Sequence, residues 1–294
     1  MANLKEVRNR ITSVISTQQI TNAMKMVSAA KLKRATDAIV QLRPYANKLK
    51  EILGNVSASV SDVSSPYTAE RPIEKVLIVV ISSNRGLAGA FNANAIKKAQ
   101  QLIQEKYASQ SANNNVSILA IGKKGYDHFL RREFNVVGEH NEVFNDLTFD
   151  NCSAISQELM DSFAKGEYDC IEVVYNRFRN AAIQSPESEQ LLPLVSQSTE
   201  NLEEQPEHDY IIEPSVEEIV QGLIPKTIKI QLFKAILDSH ASEHGARMTA
   251  MDKATENAGE LLKDLRLSYN QARQAAITTE LTEIVSGAAA LSAG

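Results

Sequence analysis

The hydrophobic pattern of the chain is helical at both ends, and its longest helical segment is C-terminal. Between Lys226 and Gly294 there is no proline, and good helix formers fill the segment. One helix of this length would measure about 100 Å, and it could bury an apolar face only against an equally long partner. Apolar or small side chains recur there at gaps of three and four residues: Leu232, Ile236, Ala246, Ala250, Ala254, Ala258, Leu261, Leu265, Tyr269, Ala272 and Ala276. The repeated alanines predict a close approach of the partner backbone.

The first segment, from Ala2 to about Gly54, is the expected partner helix. Pro44 can bend this helix without ending it. Its apolar residues also follow helical spacing: Leu4, Val7, Ile11, Val14, Ile15, Ile20, Ala23, Val27, Ala30, Ile39 and Leu42.

Between the two helical ends the pattern changes to that of buried strands alternating with helices. The predicted strands are Val76–Ile81, Val116–Ile121, Cys170–Tyr175, a short one from Asn135, and an edge strand at Gln190–Val195. The predicted helices cover Asn92–Tyr107, Lys123–Arg132 and Asn151–Lys165, and 109–115 is read as a polar loop. Strands alternating with helices favour a mainly parallel sheet with right-handed crossovers.

These patterns predict an α/β protein in three parts. Residues 1–57 and 216–294 form a long antiparallel two-helix coiled coil, the shaft. Residues 72–195 form a small central α/β domain with a mainly parallel, Rossmann-like sheet, and 196–215 form an acidic linker. The helices pair antiparallel because the central domain returns the chain near its entry point. Aligning Leu42 with Ile230 places Met24–Val27 beside Ala246–Ala250, with the C-terminal helix extending roughly 20 residues past its partner.

Composition is that of a soluble globular protein, with 43% hydrophobic and 23% charged residues. The placement of charge is more informative than the net charge of −5: residues 2–43 carry eight Lys or Arg against Glu6 and Asp37. A basic helix could meet nucleic acid, anionic lipid or an acidic protein surface. No aromatic residue precedes Tyr45, which argues against base stacking and hence against nucleic acid.

The chain has no apolar run of the roughly 20 residues that a bilayer span requires, so any membrane attachment is expected through a partner. The N-terminus lacks the apolar stretch of a signal peptide. Cys152 and Cys170 are then expected to be free, buried thiols in a reducing compartment.

Two motifs offer chemistry, and neither makes a convincing site. His240-Ala-Ser-Glu-His244 matches H-x-x-E-H, which can hold zinc, but a third ligand and a cleft are missing. The alternative is a pair of solvated histidines on a helix. Arg85–Gly89 follows a buried strand without a complete phosphate-binding motif, so a tight turn is favoured over nucleotide binding. We expect no active site, no metal and no cofactor.

Several longer motifs carry a resemblance to a known family. They are ITNAMKMVSAAKL at 20–32, SSNRGLAGAFN at 82–92, ARMTAM at 246–251, NAGEL at 257–261, YNQARQAAIT at 269–278 and ELTEIVSGA at 280–288. In this order they resemble the gamma subunit of F-type ATP synthases. The chain departs from the usual pattern at Asn84, normally Asp, and at His240, His244 and Gly245, normally Leu, Gln and Ala. Ala88-Gly89-Ala90 stands in place of Cys-Gly-Gly.

The resemblance implies a non-catalytic rotor subunit that couples ion flow through the membrane ring to ATP synthesis or hydrolysis on the beta subunits. Its implied partners are three alpha and three beta subunits, the epsilon subunit and the membrane c-ring. The implied location is peripheral, on the cytoplasmic face of a bacterial inner membrane. The residues whose family positions contact partners are Met24, Lys25, Arg247, Arg273, Gln274 and Glu280.

Two other classes stay open at this point. A structural coiled-coil adaptor would show the same helices without binding a hexameric ATPase, which co-purification with alpha and beta subunits would test. A metallopeptidase would hold zinc at His240 and His244, which metal analysis would test.

Overall fold

The computed structural model describes residues 4–58, 65–69, 71–194 and 216–292. Internal contacts divide the chain into two compact units. The paired-helix unit contains Met1–Ser28 and Met248–Gly294, and the α/β unit contains Ala29–Arg247. The predicted linker at 196–215 lies outside the described residues, and the predicted domain boundaries at 57, 72, 195 and 216 stay a prediction.

Within the described residues, the α/β unit contains a five-stranded sheet. The strands are β1 (Val76–Ile81), β2 (Val116–Ile121), β3 (Asn135–Glu139), β4 (Cys170–Phe178) and β5 (Gln184–Leu192). Their order is β3-β2-β1-β4-β5, with β5 antiparallel to β4 and the other neighbours parallel. The helices are α1 (Leu4–Ala58), α2 (Phe91–Lys106), α3 (Ala108–Ala112), α4 (Lys123–Leu130), α5 (Phe149–Ala164) and α6 (Val216–Ser292). The long terminal helices and mainly parallel sheet confirm the predicted fold class.

The centre of the sheet is buried on both faces, as the uninterrupted apolar sequence of β1 requires. Alternate residues of β1, Val76, Ile78 and Val80, pack under α2 and α4. The others, Leu77, Val79 and Ile81, join a core with α5 and α6. Helix α6 contributes Ile224, Ile228 and Leu232 to that second core, so it helps α5 to cover this face of the sheet.

Two elements differ clearly from the sequence prediction. The expected polar loop at 109–115 includes the short helix α3. The edge strand begins at Gln184 and ends at Leu192, because it pairs with β4 as a hairpin whose outer side tolerates polar residues and Pro186. Helix α6 begins at Val216 and continues through Pro225. Burial of Ile224 and Ile228 beside this proline offsets the lost backbone hydrogen bond.

In the paired-helix unit α1 and α6 run antiparallel. Lys25 Nζ lies 2.5 Å from Asp252 Oδ1, and the hydroxyls of Thr21 and Thr255 are 2.8 Å apart. Nearer the N-terminus, Arg8 Nη2 donates to the Tyr269 hydroxyl at 2.7 Å. Position along α1 therefore falls as position along α6 rises, and the antiparallel pairing of the sequence prediction is correct here.

The predicted register of this pair is wrong by about five residues, just over one helical turn. Lys25 faces Asp252 rather than the segment 246–250. Aligning Leu42 with Ile230 made the numbers of facing residues sum to 272, whereas the pairs Lys25–Asp252 and Arg8–Tyr269 sum to 277. The predicted overhang of α6 is observed, because Arg8 pairs with Tyr269 and α6 then runs on to Ser292.

The buried face of α1 in this unit also differs from the expected one. Ile20 and Val27 are 59% and 58% exposed, while Thr21 and Ser28 are buried. The side-chain hydroxyl of Thr21 is satisfied by Gln18 O and Thr255, so small hydroxyl residues can line this contact. Ile20, Met26 and Val27 are thus a solvent-facing apolar group that the helix pairing leaves free.

Candidate functional site

The structure distributes the six predicted partner-contact residues over both units. Met24 and Lys25 of α1, with Arg273, Gln274 and Glu280 of α6, belong to the paired-helix unit. Arg247 is the last residue of the α/β unit. No single site within the described residues holds all six, and their contact with partners stays a prediction.

Where α1 and α6 pair, one of the predicted contact residues already has a partner within the chain. Lys25 is partly exposed and forms an ion pair with Asp252, which is itself well exposed. An ion pair that water can reach contributes on the order of 0–1 kcal/mol, so Lys25 can exchange Asp252 for another carboxylate at little cost. Met24 is partly buried beside it.

The end of α6 forms a second surface, residues 273–288, which we call the free end. Every side chain from Arg273 to Ala288 is exposed. The apolar residues among them include Ile277 (48%), Leu281 (57%), Ile284 (62%) and Val285 (66%). Arg273, Gln274 and Glu280 lie on this segment, with no hydrogen bond or ion pair from their side chains in the part of the chain that the structure describes. Exposed apolar side chains repeated along one helix are typical of a protein-interaction surface.

Arg247 is buried instead, with only 8% of its surface exposed. Its Nη1 donates to Glu243 Oε1 at 2.5 Å, one turn earlier on α6. Its Nη2 donates to the carbonyl oxygens of Arg85 and Gly86, at 3.2 and 3.4 Å. Arg247 therefore holds the loop that follows β1, and any effect on a partner would pass through that loop.

The loop held by Arg247 presents its own side chains to solvent. Leu87 adopts φ +63° and is 65% exposed. A left-handed backbone costs a non-glycine residue about 1 kcal/mol, so the surrounding contacts must maintain it. Ser83 and Asn92 exchange side-chain hydrogen bonds, and Phe91 N donates to Ala88 O. The interpretation of this segment as a tight turn onto a helix is confirmed.

Helix α6 occupies the place where doubly wound sheets usually bind a ligand. That place is the crevice outside the carboxyl ends of the strands where the strand order reverses, here beside β1 and β4. Ser242 Oγ donates to Asn176 O at 2.8 Å, just at the end of β4. Ala246 packs with Ala88 and Phe91 after β1. The crevice is filled by the chain's own helix.

Asn84 shows why one departure from the family pattern suits this chain. Its Nδ2 donates to Asn141 O at 2.8 Å, and its Oδ1 accepts from Lys123 N at 3.1 Å. An aspartate carboxylate could accept from Lys123 but could not donate to the Asn141 carbonyl. The amide therefore bridges the loop after β1 to the segment after β3.

The two histidines of H-x-x-E-H are buried or partly buried, so their interpretation as solvated residues is wrong. Their Nε2 atoms lie 3.1 Å apart, and the His240 ring stacks on Phe144 with centroids 6.0 Å apart. Burial, with Lys31 and Arg247 nearby, lowers the pKa of His240 to about 4. Burial, with His240 and Arg247, lowers the pKa of His244 to about 3. In the described residues no three potential ligands of the His, Cys, Asp or Glu type gather around a common point.

These pKa shifts predict that acid destabilises the chain through the histidines. Between about pH 4 and 6.5 the unfolded chain binds protons that the folded pair does not, so stability is complete above about 6.5 and falls with pH below it. We expect wild type to lose about 4 kcal/mol from pH 7 to 5, roughly 2 kcal/mol for each histidine, relative to a His240→Leu, His244→Gln variant. Urea unfolding of both chains at each pH measures this. Equal losses would contradict it.

Sequence reasoning missed two buried polar groups of the α/β unit. Glu172 of β4 is bonded by Lys106 Nζ at 2.5 Å and by the Tyr107 hydroxyl at 2.8 Å. Asp238 of α6 is fully buried and accepts from Arg43 Nη2 at 3.2 Å. The signal was present for Glu172, a lone charge inside the apolar run of β4, because such a charge needs a partner.

Comparison with known proteins places the chain in a family. The ATP synthase family model matches residues 3–291. The ATP synthase gamma chain of Flavobacterium psychrophilum is 57% identical over 292 residues, 99% of both chains. That of Cytophaga hutchinsonii is 54% identical over 293 residues, again 99% of both. The chain belongs to the ATP synthase gamma chain family. The predicted resemblance is confirmed.

The fold is also that of solved members of ATP synthase assemblies. A chain of the Euglena gracilis mitochondrial ATP synthase, in a structure of its OSCP, F1 and c-ring in rotational state 3, matches with a TM-score of 0.66. The match covers 99% of this gamma chain and 95% of the Euglena chain at 20% sequence identity. At that identity the likeness shows the shared fold. Within the described ranges, no helix combines the length and apolarity needed to cross a membrane.

Proposed function

We propose that this gamma-family chain is the rotating central-stalk subunit of a bacterial F1Fo ATP synthase. In this function it turns inside a ring of three alpha and three beta subunits, and its α/β unit meets the epsilon subunit and the membrane c-ring. It carries no catalytic site of its own; ATP chemistry belongs to the beta subunits. The complex holds it as a peripheral membrane protein on the cytoplasmic face of the membrane.

The observation that carries this proposal is the exposure of Ile277, Leu281, Ile284 and Val285 on the free end of α6, where 48% to 66% of each residue is open to solvent. A row of exposed apolar side chains on one helix is typical of a surface that binds another protein. A surrounding ring of subunits would cover these side chains while leaving the helix free to turn.

The exposed group on α1 supports the same function. Ile20, Met26 and Val27 face solvent beside Lys25, whose ion pair with Asp252 is weak because water reaches it. An apolar surface flanked by lysine fits a catalytic-subunit surface that carries acidic residues, since complementary charge favours correct pairing. Met24 and Lys25 are then contact residues of the shaft.

The bacterial origin in this proposal is taken from the relatives. The curated relatives named above are bacterial ATP synthase gamma chains. The Euglena structure places a chain of this fold together with an F1 and a c-ring.

Arg273→Ala tests the proposal in an assembled complex. Arg273 is exposed where α6 extends past α1, so its guanidinium is available to a partner carboxylate. A charge-assisted hydrogen bond contributes about 1.5–3 kcal/mol, so its loss should lower coupled turnover by about tenfold or more. The purified chain alone should hydrolyse no ATP, and the variant should still assemble with alpha and beta subunits.

Arg266→Ala is the matched control, because Arg266 is also exposed on α6 but lies where α1 still accompanies it. It should leave ATP synthesis and hydrolysis near wild type. Assembly of an active complex without this chain, or wild-type coupling in Arg273→Ala, would contradict the proposal. Failure of the chain to bind alpha and beta subunits would favour the coiled-coil adaptor instead.

A further inference from the structure

His240 and His244 are unusual for their surroundings, because both must stay neutral beside cations. The cations that act on them are Lys31 of α1 and Arg247 of α6. Glu243 of α6 is the ion-pair partner of Arg247 and is also near Lys31 and Arg85. The element at Glu142–Phe144 contributes the uncharged ring of Phe144. Two cations beside the rings, with Glu243 already paired to Arg247, disfavour an imidazolium here.

The hydrogen bonds assign one tautomer to each ring. Arg247 Nη1 lies 3.5 Å from His244 Nδ1, and a guanidinium can only donate. His244 Nδ1 is therefore unprotonated, and its proton is on Nε2. That N–H points at His240 Nε2, 3.1 Å away, so His240 accepts there and carries its proton on Nδ1.

The same guanidinium connects this pair to the exposed loop. Arg247 is fixed on one side by Glu243 and His244, and on the other it donates to Arg85 O and Gly86 O. Those carbonyls immediately precede Leu87, whose left-handed backbone needs support. The arginine side chain is long and flexible, so Arg247 can keep the loop in one position only if its guanidinium is itself held in place.

We propose that His240 and His244 are positioning residues, a neutral pair of fixed tautomers that orients Arg247 and so fixes how the loop presents Arg85 and Leu87 to the surrounding subunits. The last clause rests on the proposed function, whereas the pair and its tautomers do not. His244 supplies an acceptor to Arg247, and His240 supplies the acceptor that keeps the His244 proton on Nε2. The pair makes no contact with any reacting atom.

Nitrogen-15 NMR of the histidine rings in the full-length chain at pH 7 tests the tautomers directly. The expected spectrum shows His244 protonated on Nε2 only and His240 on Nδ1 only, each assigned by loss of its signals in His244→Gln or His240→Leu. A proton on His244 Nδ1, or an imidazolium in either ring, would overturn the proposal. This measurement needs neither assembly nor activity.

His244→Leu and His244→Gln, compared in the assembled complex, test the positioning. Glutamine keeps an oxygen that can accept from Arg247, and leucine does not. We expect coupled turnover about 5-fold lower in His244→Leu and close to wild type in His244→Gln, the change expected from one hydrogen bond. Equal activity of both variants, whether normal or impaired, would overturn the positioning role.

Two further results separate this inference from the proposed function. If the wild-type chain forms no coupled complex, the proposed function fails while the NMR result still decides the tautomers. If His244→Leu does not fold, His240→Leu replaces it: loss of the acceptor for His244 Nε2–H should lower turnover in the single variant. Adding His244→Gln to His240→Leu should restore turnover, and no difference between these two chains would overturn the role of the pair.

Discussion

An Arg273→Cys variant, fully joined by a disulfide to a cysteine on the facing loop of a catalytic subunit, loses sustained ATP turnover, and reductant restores it. Arg273 lies on the free end of α6, where its side chain is exposed. If the chain rotates against the ring, a covalent bond between them blocks each further step while the first catalytic event can still occur. Turnover measured against the cross-linked fraction should fall in proportion to it.

The native cysteines do not interfere with this experiment. Cys152 and Cys170 are both fully buried and free. Burial raises the pKa of Cys152 to about 12 and also raises the pKa of Cys170. Since the thiolate is the reacting species, only the introduced cysteines should cross-link.

A disulfide within the paired-helix unit is the matched control. The hydroxyls of Thr21 and Thr255 lie 2.8 Å apart, so Thr21→Cys with Thr255→Cys places two sulfur atoms within reach of each other. This bond joins α1 to α6 and would turn with them, so turnover should stay near wild type. Normal coupled synthesis in the fully cross-linked Arg273→Cys complex would end the rotor interpretation.

Gly122→Ala should prevent stable folding of the α/β unit. Gly122 follows β2 with φ +109°, and a Cβ there would lie 2.1 Å from Ser82 O and 2.6 Å from Ser82 C. The backbone of Ser82 cannot withdraw, because its N–H donates to Ile121 O and its hydroxyl donates to Gly122 O. We expect a loss of more than about 3 kcal/mol, from strain and from separation of β1 and β2.

Gly222→Ala provides the comparison in urea unfolding of the full-length chain. Gly222 is within α6, and a Cβ there would meet nothing within 4 Å. Replacing a helical glycine by alanine should therefore stabilise by roughly 0.5–1 kcal/mol. If Gly122→Ala unfolds at the same urea concentration as wild type, the close approach of Ser82 and Gly122 cannot be as the structure shows it.

Most helices and strands could be predicted from the sequence, because the residue patterns that indicate them are local. Val76–Ile81 reads as a strand buried on both faces, and its residues do alternate between two cores. The absence of glycine and proline over long stretches indicated the terminal helices. The edge strand was misplaced because its polar residues Gln184–Gln190 resemble a loop until β4 supplies the partner.

Contacts between distant segments could not be obtained from spacing alone. A run of alanines permits close packing at several registers one turn apart, and the pairs Lys25–Asp252 and Thr21–Thr255 show which register the two helices adopt. The exposed face of α1 is a similar case. Ile20 and Thr21 are neighbours in sequence, and pairing with Thr255 decides that the threonine is inside.

The sequence by itself determined the family and the fold class, because long motifs and helical periodicity can be recognised without tertiary information. The tertiary structure decided what Arg247 and the histidines do. A motif gives spacing along one helix, but burial depends on the segments packed against it. Here those are the loop after β1 and Phe144, which turn His240 and His244 into a neutral, hydrogen-bonded pair.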